Sequence, residues 1–210
     1  SKAVDLTVRV TAPNVDLQAY FNELLALIAR ERVTLVLPVS EEALHVAALA
    51  PRLPPGVRLF GAERRLMEAL HDKLRFAQLA GDYGLPMPET YAAGSAEAEA
   101  LCSRSDFIEK PRHSCSGIGL RTASAGDAPS PATEGLLVQE FLRGDLLSSL
   151  TLADGGRELV TVVYRATVLA GTVAVCFERV DEAPSVRNWI GRFLESCGYS
   201  GFLAFDFIVG

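Results

Sequence analysis

Lysine is scarce in this 210-residue chain. Arginine occurs 17 times, but there are only three lysines: Lys2, Lys73 and Lys110. A sequence with this bias uses arginine wherever any cation will do. A remaining lysine then more often marks a position that needs a compact ammonium group. Lys2 is too close to the terminus to carry this argument, so Lys73 and Lys110 are the candidate functional lysines, with chance survival as the alternative.

Several other features are missing. The net charge is −6 and there is no basic block, which argues against nucleic acid or an anionic membrane surface as a partner. No apolar run approaches the ~18 residues of a membrane span. The four cysteines have neither CxxC spacing nor a paired framework, so we expect reduced thiols in a cytoplasm and no zinc site. The absence of GxxxxGK[ST], and of GxGxxG after a first strand, argues against a P-loop enzyme and a dinucleotide-binding module.

Strands and helices alternate in the pattern of the first 60 residues. Alternation predicts a strand over 4–10, and the continuous apolar run 33–38 predicts a buried parallel strand. Asn14 or Asp16 would cap the first helix. The remaining elements predicted here are helices over 16–30 and 41–50 and a strand over 57–60. This order indicates a parallel α/β sheet.

The rest of the chain mixes helices with strands that read as antiparallel. One helix is predicted over 63–83, ended by Gly84-Leu85-Pro86-Met87-Pro88, because glycine stops helices and X-Pro favours extended chain. Residues 123–134 read as a surface loop. The other elements predicted are a helix from Ser95 to about 103, strands over 136–142, 147–152, 159–167 and 173–177, a helix over 184–197 and a final strand over 201–209.

A small-residue loop follows the predicted strand Phe107-Ile108-Glu109-Lys110. Serine and glycine from Ser114 to Gly119 allow the backbone to approach a ligand, and consecutive N–H groups can form an anion-binding nest. Lys110 adds a mobile positive charge beside that loop. The combination suits a nucleotide phosphate. The alternative is an ordinary hairpin loop with a solvated lysine.

The order of these motifs resembles the ATP-grasp superfamily over nearly the whole chain. The nearest group is related to carbamoyl-phosphate synthase large chains and biotin carboxylase. The resemblance implies an α/β and α+β fold: a partial Rossmann-like pre-ATP-grasp domain over 1–62, then an ATP-grasp domain of two α+β subdomains over 63–210, with a lid subdomain at about 88–142. The matching segments are Pro38-Val39-Ser40-Glu41-Glu42, Asp72-Lys73, the 84–90 segment, Ile108 to Gly119, Gln139 to Asp145, and Gly201 to Phe207.

By this resemblance the chain binds ATP and Mg²⁺, and activates a small carboxylate as an acyl phosphate that an amine attacks. Lys73 and Lys110 would hold the phosphates, under backbone N–H groups of the small-residue loop. Asp206, one acid in an apolar strand, would be buried and bind Mg²⁺, or would pair with an arginine. Arg165 could face the phosphates or serve sheet packing. The other implied nucleotide-binding residues are Ser114, Cys115, Ser116 and Gly117 in the loop, Gln139, Glu140, Phe141 and Leu142 along the adenine, and Glu140 or Asp145 at the ribose.

This sequence departs from the family pattern after Asp206. A second acid and an asparagine normally follow, and the chain stops at Gly210 before them. We therefore expect a piece truncated at both ends, impaired in catalysis but able to bind a nucleotide. Uncovered sheet edges or apolar surface would favour a homo-oligomer. An ATP-grasp phosphotransferase and a non-catalytic nucleotide-binding remnant are the alternatives to a ligase.

Overall fold

The computed structural model describes residues 4–40, 42–114, 119–131, 133–170 and 173–210. The chain divides into two compact units, Ser1–Met67 and Glu68–Gly210. Each unit is described by itself. In the described residues, no helix is long and apolar enough to cross a membrane.

The first unit contains helices and a two-stranded parallel sheet. Helix α1 (Leu17–Arg30) begins where the Asp16 carboxylate accepts a hydrogen bond from the backbone N–H of Ala19, so Asp16 rather than Asn14 is the cap. Tyr20 and Phe21 of α1 form a core with Leu49. The other elements are β1 (Leu35–Val36), α2 (Ala43–Leu49), a 3₁₀ turn (Ala50–Arg52) and β2 (Arg58–Leu59), which pairs with β1.

One strand predicted for this unit is absent, and the parallel strand predicted over 33–38 is shorter and more exposed than expected. Residues 4–10 form no strand, and the apolar side chains of Val4, Leu6 and Val8 are exposed. The run 33–38 holds only two strand residues, and its Leu35 and Leu37 side chains are 45% and 46% exposed. The described part of this unit pairs β1 with β2 alone, so the run is not a central strand covered on both faces.

Asp72 divides the helix predicted over 63–83 into two. Helix α3 (Arg64–His71) ends before Asp72, and α4 (Lys73–Asp82) begins after it. Asp72 has extended backbone angles, φ −91° and ψ 105°, and its carboxylate accepts hydrogen bonds from the N–H groups of Leu74 and Arg75. An aspartate that satisfies the first N–H groups of a helix starts a new one. Lys73 therefore lies at a helix N-terminus and not in a helix interior.

The first antiparallel sheet has the order β3-β6-β4-β5. Helix α5 (Ala96–Arg104), capped by Ser95 as predicted, packs Leu101 and Cys102 against Phe107 and Val138. The strands are β3 (Thr90–Ala92), β4 (Phe107–Pro111), β5 (Arg121–Ala123) and β6 (Leu136–Glu140). Lys110 thus lies one residue before the end of a central strand.

The second antiparallel sheet has the order β10-β7-β8-β9. Helix α6 (Pro184–Cys197) covers one face and ends at Gly198, whose φ of 63° suits glycine. Trp189 of α6 packs its ring against Phe205 and Phe207 at centroid distances of 5.0 and 5.4 Å. The strands are β7 (Asp145–Asp154), β8 (Arg157–Ala170), β9 (Val173–Arg179) and β10 (Gly201–Val209).

Alternation along β10 decides which side chains reach the open face of this sheet. Phe205 and Phe207 point toward α6, so Asp206 between them points to the opposite face. That face also exposes large apolar side chains, including Leu150, Val160 and Phe177. We call it the open face of the second sheet.

Candidate functional site

Lys110 and Gln139 are joined side by side on the first sheet. The Lys110 ammonium donates a 2.8 Å hydrogen bond to Oε1 of Gln139, which lies on the neighbouring strand β6. The Gln139 amide in turn donates to Oγ1 of Thr90 on β3, at 2.7 Å. This chain of contacts across three strands fixes the direction in which the Lys110 side chain points.

Lys73 reaches the start of the small-residue loop from the N-terminus of α4. Its ammonium donates to the Ser114 carbonyl at 2.6 Å, to the Ser114 hydroxyl at 3.2 Å and to the Arg112 carbonyl at 3.4 Å. The Lys73 backbone N–H also donates to the Arg112 carbonyl, at 3.3 Å. A helix that is separate in sequence therefore places its first side chain against Arg112 and Ser114, the residues just after β4.

The two ammonium groups influence each other. Burial and, to a smaller extent, the positive charge of Lys73 together lower the pKa of Lys110 to about 8. The hydrogen bonds described above for both lysines go to neutral oxygens. An anion beside the two lysines would relieve their repulsion. The arrangement is therefore suited to phosphate groups.

Asp72 and Arg112 form a two-pronged ion pair beside Lys73. Nε of Arg112 lies 2.7 Å from Oδ1 of Asp72, and Nη2 lies 2.6 Å from Oδ2. The hydrogen bond from Arg112 is the largest cause that holds the pKa of Asp72 at about 2, despite burial of the carboxylate. The pair joins the N-terminus of α4 to the end of β4. Sequence reasoning named Asp72 only as part of a motif and did not find its partner.

Glu109 is a buried carboxylate that sequence reasoning missed as a structural centre. It accepts hydrogen bonds from the guanidinium of Arg121 at 2.6 Å and from the N–H and hydroxyl of Ser130 at 2.6 and 2.7 Å. Burial acts to raise the pKa of Glu109, but these hydrogen bonds outweigh it and leave the pKa below its ordinary value. Glu109 thus holds β5 and the predicted surface loop against β4. The sequence offered one signal: Glu109 directly precedes Lys110 in the same predicted strand, so its side chain lies on the opposite face of the sheet from Lys110.

Glu140, Phe141 and Leu142 connect the two sheets toward Asp145. The Glu140 backbone N–H donates to the Glu89 carbonyl at 2.9 Å, and the Phe141 N–H donates to the Asp106 carbonyl at 3.0 Å. The Phe141 ring is 38% exposed, with the Arg143 guanidinium 5.5 Å from its centroid. Leu142 is half-buried, and the Asp145 side chain is exposed.

Asp206 is exposed, which corrects the expectation of a buried acid. Its Oδ1 accepts a 2.6 Å hydrogen bond from the Ser148 hydroxyl on β7. The register continues from Ser148 to Tyr164 and from Tyr164 to Arg179, so these residues form a row across the open face. Burial raises the pKa of Tyr164, and the negative charge of Asp206 adds to that shift.

Arg165 is directed away from Asp206. It neighbours Tyr164 in β8 and therefore lies on the opposite face of the sheet, where Nε is 2.9 Å from Oε2 of Glu178. The exposed side chains of this ion pair indicate a surface contact. The alternative of a sheet role for Arg165 agrees with this placement.

Asp206 is the carboxylate that the sequence predicts as a magnesium ligand. No group of three or more His, Cys, Asp or Glu side chains in the described part of the chain is arranged to hold a metal ion. The Asp206 carboxylate and the Ser148 hydroxyl are oxygen donors, and Mg²⁺ commonly takes one or two carboxylates plus phosphates and water. The donor set fits an ion held mainly by a bound phosphate.

The predicted site residues fall into separate groups. Lys73 contacts Ser114 and Lys110 contacts Gln139, and the two lysines are close enough to interact electrostatically near the end of β4. Asp145 and Asp206 lie on the second sheet. Cys115, Ser116 and Gly117 lie outside the described residues. The site assignments remain predictions, and the structure adds Asp72, Arg112 and Ser148 to them as neighbours.

The chain is thus an α+β protein with two antiparallel sheets, one after the other in sequence. Two lysine ammonium groups lie near the end of a strand of the first sheet. The sequence profile of the ATP-grasp domain family matches residues 70–208. The chain therefore belongs to the ATP-grasp family. No curated protein sequence matches the chain.

Solved structures with the same fold share little sequence with this chain. The biotin carboxylase domain of Hydrogenobacter thermophilus 2-oxoglutarate carboxylase is 15% identical, with a TM-score of 0.62 over 96% of this chain and 50% of that chain. An L-amino acid ligase from Bacillus licheniformis is 13% identical, with a TM-score of 0.67 over 94% and 50%. Phosphoribosylamine–glycine ligase from Thermotoga maritima is 16% identical, with a TM-score of 0.55 over 71% and 47%. The chain thus spans about half the length of these proteins.

Proposed function

We propose that this chain binds ATP with Mg²⁺ and belongs to a carboxylate–amine ligase that acts through an acyl phosphate. The observation that carries the proposal is the pair of lysine ammonium groups at the end of β4, close enough for the charge of Lys73 to lower the pKa of Lys110. An anion bound beside the two ammonium groups would relieve their mutual repulsion. A polyphosphate is the anion that the family membership favours.

Phosphoryl transfer needs positioned positive charge more than covalent chemistry from the protein. Lys110, oriented by Gln139, and Lys73, held against Ser114, would bind phosphate oxygens as point charges. Mg²⁺, when bound, would neutralise charge on the same phosphates, with Asp206 as its protein ligand and Ser148 orienting that carboxylate. Glu140 to Leu142 would border the adenine, and Asp145 the ribose.

The ligase class rests on the kinds of protein that share the fold. Two of the similar structures are named as ligases of amino acids or of glycine, and the Hydrogenobacter structure holds MgADP and bicarbonate. In the proposed reaction, a carboxylate oxygen attacks the γ-phosphorus and ADP leaves. An amine then attacks the acyl carbon and displaces phosphate.

Calorimetric titration with a non-hydrolysable ATP analogue, with and without Mg²⁺, tests the binding step. We expect the wild-type chain to bind, Lys110→Met to lose roughly tenfold or more in affinity, and Lys2→Met, the matched control, to bind as wild type. Adenosine should bind Lys110→Met and wild type equally. Absence of analogue binding by a folded wild-type chain would contradict the proposal.

A nucleotide-binding remnant without catalysis is the second candidate. It is favoured by the surroundings of Asp206, which within the described residues belongs to no group of three or more potential metal ligands. This candidate would be supported if the chain binds the analogue but releases no ADP from ATP with any member of a panel of carboxylates and amines. If turnover is seen, ADP plus phosphate and an amide indicates the ligase, and ADP plus a stable phosphate ester indicates a phosphotransferase.

A further inference from the structure

The ion pair between Asp72 and Arg112 lies between the N-terminus of α4 and the end of β4. Asp72 is only 5% exposed, and its two oxygens lie 2.7 and 2.6 Å from Nε and Nη2 of Arg112. The same carboxylate caps α4 through the N–H groups of Leu74 and Arg75, at 3.1 and 3.2 Å. One side chain therefore begins the helix and also attaches it to the end of β4.

Lys73 is the first residue of that helix, a position that does not favour a cation. The N-terminus of a helix carries partial positive charge, and an acid there would stabilise the helix. The ammonium nevertheless lies 2.6 Å from the Ser114 carbonyl, at the start of the small-residue loop. The Lys73 side chain is therefore directed toward the residues that follow β4.

We propose that Asp72 and Arg112 are positioning residues that aim the Lys73 ammonium at the nucleotide phosphates. Arg112 donates to both carboxylate oxygens of Asp72, the residue directly before Lys73, and so fixes the chain at the first turn of α4. The backbone of Arg112 also accepts from the Lys73 N–H, at 3.3 Å, which fixes the root of a long and flexible side chain. This inference rests on the proposed nucleotide binding and adds two residues to it.

A double-mutant cycle separates this role from a structural one. Affinity for the non-hydrolysable ATP analogue is measured for wild type, Arg112→Gln, Lys73→Met and the double variant. If Arg112 acts through Lys73, Arg112→Gln lowers affinity about tenfold in the wild-type chain and less than about twofold in the Lys73→Met chain. Arg112→Lys keeps the charge but not the two-pronged geometry, so it restores affinity only in part.

Asp72→Asn supplies a second arm with the helix cap retained. Asparagine caps a helix about as well as aspartate does, while it removes the charge that holds Arg112. We expect the same loss of analogue affinity, again confined to chains that contain Lys73, and unchanged binding of adenosine. Circular dichroism melts are the control that tests whether each variant is folded.

The outcomes distinguish the two proposals. Equal loss of affinity in the Lys73 and Lys73→Met backgrounds would mean that the ion pair is only structural, and it would overturn this inference while leaving nucleotide binding intact. Failure of the folded wild-type chain to bind the analogue would overturn the proposed function and this inference together. Loss that appears only in the presence of Lys73 supports both.

Discussion

Single charged side chains carry most of the information about this site. At Lys110, Glu109 and Asp72 burial favours the uncharged form of the side chain, and each has a different arrangement around it. The two acids are kept ionised by hydrogen bonds from arginine, whereas Lys110 has a lowered pKa beside a second cation. An acid with such partners stabilises the fold, whereas the charged form of Lys110 is disfavoured and would be stabilised by an anionic ligand.

The lowered pKa of Lys110 predicts proton uptake on nucleotide binding. A phosphate beside the ammonium favours its charged form and returns the pKa toward 10.5, so at about pH 8.5 binding should take up a proton. Affinity should fall as pH rises above about 8. Calorimetry at about pH 8.5 in two buffers of different ionisation heat measures the uptake. Uptake that persists in Lys110→Met would contradict the assignment, and at about pH 6.5 little uptake is expected in either chain.

Asp72 predicts part of the acid sensitivity of the fold. Its pKa is about 2 in the folded chain, against 3.8 ordinarily, so its stabilisation is present above about pH 4 and is lost as pH falls toward 2. The contribution is about 2 kcal/mol in the free energy of unfolding. Urea unfolding at about pH 6 and about pH 3 should show a smaller loss of stability for Asp72→Asn than for wild type. Equal losses in the two chains would mean that other carboxylates account for the acid limb.

At the scale of elements, a few side chains attach loops and helices to the sheets. Trp189 of α6 donates its indole N–H to the Pro86 carbonyl at 3.0 Å, and Arg192 donates to the Gly84 carbonyl at 2.9 Å. The segment from Gly84 to Pro88 is thereby fixed to a helix about a hundred residues later in the chain. Glu109 does the same for the segment that contains Ser130.

Removal of the Glu109 charge should loosen β5 and the segment after it. Glu109→Gln places an amide between Arg121 and Ser130 and leaves at least one hydrogen bond unmade, at a cost of about 2–3 kcal/mol in the free energy of unfolding. Urea unfolding measures that cost, and trypsin should cut after Arg121 faster than in wild type. Glu134→Gln, at an exposed position of the same segment, is the matched control and should change neither. Similar behaviour of the two variants would show that Glu109 does not hold the segment.

At the scale of the whole molecule, the proposed nucleotide site belongs to the second unit alone. Lys73, Lys110 and Asp206 all lie within Glu68–Gly210, as does Trp189, the single tryptophan of the chain. Tryptophan fluorescence therefore reports on the unit that would hold the nucleotide. The open face exposes apolar side chains that a second copy of the chain could cover, so the homo-oligomer stays a prediction.

Nucleotide should stabilise the second unit by mass action. At a free analogue concentration of about 100 times Kd, the free energy of unfolding should rise by ~2.7 kcal/mol. The thermal transition followed by Trp189 fluorescence should move upward with analogue concentration, and in Lys110→Met the shift should need higher concentrations. A fluorescence transition that stays fixed while calorimetry shows saturation would place the binding site outside Glu68–Gly210.

The sequence alone determined the elements whose signals are local. Helix α6 begins and ends at its predicted residues, Ser95 caps α5, and β7, β8 and β9 lie where strands were predicted and pair antiparallel. The motif order also identified the ATP-grasp family, which the profile match over 70–208 confirms. These features depend on periodicity, capping side chains and turn residues, all of which lie within a few residues of one another.

Only the tertiary structure decided which charges meet and which face each strand covers. Asp206 lies in an apolar strand, yet it is exposed because α6 covers the face that holds Phe205 and Phe207. The helix break at Asp72 depends on capping and on Arg112, 40 residues later, which no local pattern contains. Burial and ion pairing are set by contacts between distant segments. The family and its elements could therefore be predicted from the sequence, while the arrangement of charges around Lys73 could not.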